Sequence, residues 1–178
     1  MRNEKVRMLV EMALAVAIAL TFSQIKLFQM PQGGSVTLEM LPIIFISLRW
    51  GVGAGVLAGT AHGLLQMLFG AWIVHFIQVV FDYPLPFALL GLAGLFKTKM
   101  GSDKAPLRII MGSLVAVVAR FISHFISGVV FWGSTIPEGQ NPYIYSAIYN
   151  VSYLIPAAIL TIVILLVIRK PLAQLDRD

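Results

Sequence analysis

Few side chains in this 178-residue sequence can do chemistry, and their types narrow what that chemistry is. There are no cysteines, so thiol nucleophiles, disulfides and cysteine-based zinc or iron–sulfur sites are excluded. The three histidines are scattered without metal-ligand spacing, and no glycine-rich phosphate loop with a following lysine is present. We therefore expect no metal, no cofactor and no ATP hydrolysis by the chain itself. The chemistry should be non-covalent or depend on carboxylates.

Polar and aromatic residues recur at helical spacing in three parts of the sequence. Each group would fall on one face of a helix. The groups are Trp72, His75, Gln78 and Asp82; Arg120, His124, Ser127 and Phe131, with Trp132 beside them; and Ser146, Tyr149, Asn150 and Tyr153, with Tyr143 and Tyr145 just before them. Together they offer a carboxylate, an amide and aromatic faces. These are the groups that a cavity for a flat, cationic, nitrogen-rich ligand needs.

Simpler interpretations exist for the same residues. Trp72, Trp132 and Tyr143 are also typical of the aromatic belts at membrane interfaces. Asp82 with Arg120 would form a buried ion pair that only joins two helices. Asn150 would serve equally well as a hydrogen bond between helices.

Two further alternatives concern histidines and carboxylates. Asp82 and His124 would suit an intramembrane enzyme as its acid and base. His62 and His75 are interpreted as packing residues, and Glu39 as a carboxylate favoured by the dipole of a short helix that begins near it.

The elements that position these groups follow from composition. The sequence is 58% apolar and 12% charged, whereas soluble domains carry about 25% charged residues. Apolar stretches lie at about 6–25, 36–48, 52–69, 73–95, 107–131 and 146–168, and only helices satisfy their backbone in lipid when a segment stands alone. The sequence therefore predicts an all-α integral membrane protein. Residues 1–178 form a single transmembrane domain with six transmembrane helices, of which the second is short.

Basic residues report the orientation of these helices. Eleven of the 13 lie before the first span, between spans two and three, between spans four and five, or after the sixth: Arg2, Lys5, Arg7, Arg49, Lys97, Lys99, Lys104, Arg108, Arg169, Lys170 and Arg177. The positive-inside rule then places both termini in the cytoplasm, and the loops near 26–38, 70–72 and 133–145 outside. The net charge of +5 is thus a topology signal, and we expect no nucleic-acid partner. The first span has no small-residue cleavage site after Phe22 and is interpreted as a retained helix.

Small residues and prolines mark close packing and a break. Glycines repeat every four residues along the third span, at Gly51, Gly55, Gly59 and Gly63, which favours internal helix packing. The first span carries Ala13 and Ala17 on one face and Ala15 and Ala19 on another, suited to packing or to a partner.

Two prolines, Pro84 and Pro86, follow Asp82 and predict a disrupted helix there, as expected beside a cavity.

Taken together, these residues resemble the thiamine-specific substrate-binding component of energy-coupling factor (ECF) transporters, the ThiT/YuaJ family. The resemblance covers essentially the whole chain. It rests on Val6-Arg7-Met8-Leu9 with Glu11, Leu48-Arg49-Trp50-Gly51, Asp82-Tyr83 followed by Gly91 to Phe96, His124-Phe125 with Gly128 and Phe131-Trp132, and Tyr145-Ser146 with Asn150.

The resemblance implies a six-helix subunit of the bacterial cell membrane that binds thiamine tightly in an outward-facing pocket capped by the loop between helices 1 and 2. By similarity, Trp132 and His124 would sandwich the thiazolium ring, and Asp82, Tyr145 and Asn150 would hold the aminopyrimidine. Tyr83, Gln78, Trp72 and Glu39 match positions near the margin of the site.

The resemblance also implies partners and an alternative. The stripe with Ala13 and Ala17 would dock on the ECF coupling transmembrane subunit, which works with two ATP-binding-cassette ATPases. The chain departs from the family pattern at Asp82, where a glutamate is expected, and at Ser35, where the lid loop is expected to hold an aromatic residue. The alternative within transport is a substrate-binding component for another heterocyclic vitamin, such as riboflavin or a pyridoxine-like compound.

Overall fold

The computed structural model describes residues 2–31 and 33–176. Gln32 of the predicted lid loop and Arg177 of the basic C-terminus lie outside these described residues. Within these ranges five helical stretches are long and apolar enough to cross a membrane: Asn3–Gln24, Val52–Phe69, Phe76–Phe96, Ala105–Phe131 and Pro142–Leu175. The sixth, Met40–Trp50, is shorter. The protein is an all-α membrane protein with six helical segments, as predicted.

The secondary structure elements follow the predicted spans with shifted ends. The helices are α1 (Arg2–Gln24), α2 (Met40–Trp50), α3 (Val52–Gln66), α4 (Phe76–Asp82), α5 (Pro84–Leu89), α6 (Ala105–Phe131) and α7 (Pro142–Leu172). Short 3-10 turns occupy Met67–Phe69, Leu90–Phe96, Gly133–Thr135 and Ala173–Asp176, and two strands, β1 (Phe28–Gln29) and β2 (Ser35–Val36), form a hairpin. Because Ser35 and Val36 pair in this hairpin, the second helix begins at Met40 and not at the predicted position 36. The last helix begins at Pro142 because the side chain of Asn141 accepts hydrogen bonds from the first backbone N–H groups.

The fourth span is broken, as its prolines predict. Tyr83 separates α4 from α5, and its φ of −118° and ψ of −81° are not helical. The predicted start of this span at 73 is wrong, because His75 is extended and caps α4 by accepting a hydrogen bond from the Ile77 backbone N–H. Trp72 therefore lies in the segment before the helix and does not share a helical face with Asp82.

Glycines of α3 let the broken span approach closely. A Cβ at Gly55 would meet Ser47 of α2 and the Cα of Gly91, and one at Gly63 would overlap the carbonyl of Tyr83. The predicted internal packing role of these glycines is confirmed. The contact at Gly63 fixes α3 against the break that follows Asp82.

Gly59 gives the sharpest test of this packing. A Cβ at Gly59 would overlap the carbonyl oxygen of Phe87 in the backbone of α5. We expect Gly59→Ala to lower the free energy of unfolding by about 2–3 kcal/mol, since the backbone of α5 cannot move aside cheaply. The measurement is the thermal unfolding midpoint in detergent micelles. Gly53→Ala is the matched control, because a Cβ there meets no atom of the described residues within 4 Å. Equal midpoints for the two variants would contradict the packing account.

A charged cluster joins three chain segments at the end of the bundle where α1 begins. The carboxylate of Glu11 accepts hydrogen bonds from Arg7 Nε (3.0 Å), Arg49 Nε (2.6 Å) and Trp50 Nε1 (2.7 Å). Both arginines also donate to the backbone carbonyl of Leu175. The N-terminal part of α1, the end of α2 and the C-terminal turn therefore meet at one end, which is where the charge pattern puts the basic residues together.

The alanines of α1 divide between two environments. Ala15 and Ala19 are buried, at 5% and 0% exposure. Ala13 and Ala17 are exposed. The face with Ala13 and Ala17 is therefore exposed in the part of the chain that the structure describes.

Candidate functional site

A cavity of about 320 Å³ lies at the opposite end of the bundle, between the hairpin and the helices α4 to α7. Eight of the nine residues predicted to bind a ligand line it. They are Glu39, Trp72, Asp82, Tyr83, His124, Trp132, Tyr145 and Asn150. The volume is at the small end of the range for ligand pockets, so the cavity suits a compact small molecule.

Asp82 is held in the cavity wall by three neighbouring side chains. Its Oδ2 accepts hydrogen bonds from Gln78 Nε2 (2.6 Å) and from Trp132 Nε1 (3.1 Å). Its Oδ1 lies 3.5 Å from Nδ1 of His124. The carboxylate is thus fixed in position by α4 itself and by the end of α6, while Oδ1 keeps acceptor capacity for a ligand.

Gln78 supports the site and is not among the residues that line the cavity. Its side chain is fully buried, and besides Asp82 it bonds to the carbonyl of Trp72 (3.1 Å) and the N–H of Val74 (3.1 Å). It therefore ties the segment before α4 to the helix. The sequence pattern correctly placed Gln78 on the same helical face as Asp82. Its side chain, however, bonds to other protein groups and does not line the cavity.

The alternative interpretation of Asp82 and Arg120 as an ion pair is wrong. Arg120 Nη2 donates to Oε1 of Glu39 at 2.9 Å, and both side chains are buried. The short segment before α2 enters the bundle and brings Glu39 to Arg120. Helical spacing places residues by depth and face along their own helix, and it contains no information on which of two carboxylates at similar depth an arginine reaches.

Glu39 itself has more than the predicted dipole role. Gln66 Nε2 donates to its Oε2 (2.9 Å), and Nε2 of His62 lies 3.7 Å from the same oxygen. It makes no side-chain cap hydrogen bond to α2. His62 is fully buried and meets the ring of Phe87 edge-on at 4.4 Å, which confirms its packing role.

Two tryptophans form one wall of the cavity. The rings of Trp72 and Trp132 meet edge to face, with centroids 5.6 Å apart. The hydroxyl of Tyr83 accepts a hydrogen bond from the Trp72 backbone N–H at 2.7 Å. Trp132 is thus held at its indole nitrogen by Asp82 and at its ring by Trp72, and a rigid aromatic face results.

The opposite wall is built by α7. Tyr145 and Tyr149 stack with centroids 6.2 Å apart, and Tyr149 meets Tyr153 edge-on at 5.9 Å. His124 of α6 faces Tyr153 at 6.4 Å. Aromatic surfaces therefore reach from the hairpin end of α7 to the imidazole.

The amide of Asn150 is oriented by its own helix. Its Nδ2 donates to the carbonyl of Ser146 (2.9 Å), and its Oδ1 accepts from the hydroxyl of Tyr153 (2.8 Å). The interpretation that Asn150 hydrogen-bonds to a neighbouring helix is therefore wrong, because both of these partners belong to α7 itself. Asn150 still lines the cavity.

The hairpin covers the end of α7. The backbone N–H of Gly34 donates to the hydroxyl of Tyr149 at 3.0 Å, and a Cβ at Gly34 would lie 2.7 Å from the ring of Tyr153. Only a glycine permits this approach. The segment predicted to be a lid loop forms a two-stranded hairpin, with a positive φ of +94° at Gly33.

Charge at the cavity favours a cation. Among the described residues, the charged side chains that line it are Glu39, Asp82, Arg120 and Lys26. Lys26 is exposed to solvent, which weakens its field. Since Glu39 and Arg120 neutralise each other, Asp82 contributes an unbalanced negative charge inside the cavity.

Sequence reasoning missed some residues of the site. Gln66 and Phe87 line the cavity beside Glu39 and Arg120. Gln66 lies four residues after His62 on α3, so its position on the same face was available as a signal. No sequence pattern indicated Phe87, because it reaches the cavity only through the break in the helix at Tyr83.

Comparisons with known proteins agree with this architecture. Residues 9–176 match the family described as thiamine transporter protein (Thia_YuaJ). The thiamine transporter ThiT of Bacillus subtilis is 37% identical over 167 residues, covering 88% of this chain and 87% of the relative. ThiT of Lacticaseibacillus paracasei is 28% identical over 185 residues, covering 98% and 92%.

The fold comparison extends this to three dimensions. A solved structure of ThiT from Listeria monocytogenes superposes with a TM-score of 0.87 and 28% sequence identity, covering 95% of this chain and 96% of that one. A match over nearly the full length in both sequence and fold shows that the chain belongs to the thiamine transporter (Thia_YuaJ) family.

Proposed function

We propose that this protein binds thiamine in the cavity beneath the hairpin and is the substrate-binding subunit of an ECF-type vitamin transporter. The observation that carries the proposal is the unbalanced carboxylate of Asp82 between the aromatic face of Trp132 and the imidazole of His124. Thiamine combines a permanently cationic thiazolium with an aminopyrimidine. A buried negative charge and aromatic faces complement both rings. Membership of a transporter family also removes the alternative of an acid–base enzyme at Asp82 and His124.

The roles of the residues follow from what each offers. Trp132 and His124 flank the thiazolium, and a cation over an indole gains about 0.5–2 kcal/mol. Oδ1 of Asp82 accepts the pyrimidine amino group, and Tyr145 and Asn150 hold the rest of that ring. Trp72, Tyr83 and Glu39 define the margin, while Gln78 fixes Asp82 from behind.

Transport requires further subunits. Because the sequence has no phosphate-binding loop, energy would come from two ATP-binding-cassette ATPases acting through the coupling transmembrane subunit. The exposed face with Ala13 and Ala17 permits close approach of a partner helix. With both termini cytoplasmic, as the basic residues indicate, the hairpin end opens to the outside and thiamine is captured there.

Binding is tested by titrating purified protein in detergent micelles with thiamine and following tryptophan fluorescence. We expect saturable quenching with a dissociation constant below about 1 µM. Quenching should originate from Trp132 and Trp72, which line the cavity. The control is Trp50→Phe, because Trp50 lies at the other end of the bundle and its removal should leave the quenching unchanged.

Riboflavin and pyridoxine, added in competition, test the alternative of another vitamin. We expect neither to displace thiamine at equal concentration. Absence of thiamine binding, or tighter binding of either competitor, would refute the proposed specificity.

A further inference from the structure

We propose that Arg120, held by Glu39, acts as a positioning residue that keeps His124 an uncharged imidazole with its proton on Nδ1. The inference deepens the proposed function and rests on it, because an uncharged ring is what a cationic ligand needs beside it.

The geometry at His124 carries the argument. Arg120 Nε donates to Nε2 of His124 at 3.3 Å. A guanidinium is always protonated and has only donors, so Nε2 must present its lone pair. The ring proton then lies on Nδ1, which is 3.5 Å from Oδ1 of Asp82. Both ring nitrogens are thereby assigned: Nδ1 carries the proton, and the lone pair of Nε2 accepts the hydrogen bond from Arg120 and is not free to take a second proton.

Arg120 is held where it can do this. Glu39 binds its Nη2 at 2.9 Å, and Gln66 fixes the other oxygen of Glu39 at 2.9 Å. The guanidinium lies over the ring of Phe87, with Cζ 4.2 Å from the centroid. Arg120 is only 6% exposed and Glu39 5%. The pair therefore has little freedom to swing away from His124.

Every element around His124 contributes to this state. Asp82 faces it from α4, Arg120 from its own helix and Tyr153 from α7, while Glu39 and His62 stand behind Arg120. Asp82 alone would favour a fully protonated imidazolium. Occupation of Nε2 by Arg120 opposes that, so Asp82 keeps its charge for the ligand.

This arrangement explains how a cation can line a site for a cationic ligand. Glu39 cancels the charge of Arg120 at 2.9 Å, and Arg120 in turn prevents a second cation at His124. An imidazolium would repel the thiazolium, whereas a neutral imidazole offers a polarisable face to it.

The test is ¹⁵N NMR of protein labelled at histidine, in micelles and without ligand, near the ordinary histidine midpoint at about pH 6.5. The ¹⁵N shifts distinguish a proton on Nδ1, on Nε2 or on both, and the His124 signals are assigned by their loss in His124→Gln. We expect the wild type to show the Nδ1–H form. An Nε2–H or doubly protonated ring in the wild type would overturn the proposal without any variant.

A double variant tests the cause. Glu39→Gln with Arg120→Met removes the donor without leaving a buried carboxylate unpaired, and we expect Nε2 of His124 to become protonated and thiamine affinity to fall about tenfold. Arg108→Met, at the other end of α6, is the control that keeps the wild-type spectrum and affinity. An unchanged His124 spectrum in the double variant would refute the role of Arg120. Failure of wild-type protein to bind thiamine would instead refute the proposed function, since the ligand-free spectrum is measured independently.

Discussion

Trp132→Ala is expected to weaken thiamine binding about 100-fold, the largest loss from one aromatic residue of the site. Three things are lost together: the indole face for the thiazolium, the hydrogen bond from Nε1 to Asp82 (3.1 Å), and the ring against which Trp72 packs (5.6 Å). Isothermal titration calorimetry is the appropriate measurement, because the variant removes the fluorophore itself.

Trp132→Phe separates these contributions. It keeps an aromatic face and removes the hydrogen bond to Asp82, so we expect an affinity between those of the wild type and Trp132→Ala. Trp50→Phe serves as the control for loss of a tryptophan far from the cavity. Affinity within threefold of wild type in Trp132→Ala would show that the ligand does not lie on this indole.

Asp82→Asn is expected to weaken thiamine binding by about 3 kcal/mol, or about 100-fold, through loss of charge at nearly constant shape. Among the described residues no arginine or lysine forms an ion pair with this carboxylate, because Arg120 is paired with Glu39. Its partners Gln78 and Trp132 are uncharged, so its negative charge is left for a cationic ligand. Calorimetry in parallel with the ligand-free unfolding midpoint distinguishes lost binding from lost folding.

A ligand change makes the test of Asp82 more specific. In a thiamine analogue with an oxo group in place of the 4-amino group, the exocyclic oxygen accepts hydrogen bonds and cannot donate one to Oδ1 of Asp82. We expect the wild type to discriminate strongly between thiamine and this analogue, and Asp82→Asn to discriminate much less. Asp103→Asn, in an exposed turn at the other end of the bundle, is the matched control. Equal discrimination in Asp82→Asn and the wild type would place the aminopyrimidine elsewhere.

The fold was predictable where a single segment contains the signal. Apolar runs give the helical segments, the glycines of α3 predict its packing, and Pro84 with Pro86 predicts the break at Tyr83. The hairpin was not predictable, because strands of two residues are too short to show an alternating pattern. Its path depends instead on the turn at Gly33 and on the close contact of Gly34 with Tyr153.

The sequence predicted which residues line the cavity better than it predicted the hydrogen bonds and ion pairs between them. Spacing on α6 and α7 placed His124 and Asn150 on inward faces, and both line the cavity. The pairing of Arg120 with Glu39 joins residues 81 positions apart, and depends on where the segment before α2 runs. Trp72 lies in a non-helical segment that a backbone hydrogen bond to Tyr83 holds at the cavity. Helical periodicity therefore predicted its presence at the site correctly, although Trp72 is not on a helix.

The most direct test of the account is the electron density of the protein crystallised with thiamine. We expect the thiazolium between Trp132 and His124, and the pyrimidine amino group within hydrogen-bond distance of Oδ1 of Asp82. Density for thiamine at any other location, with this cavity empty in the same crystal, would contradict the assignment of the site.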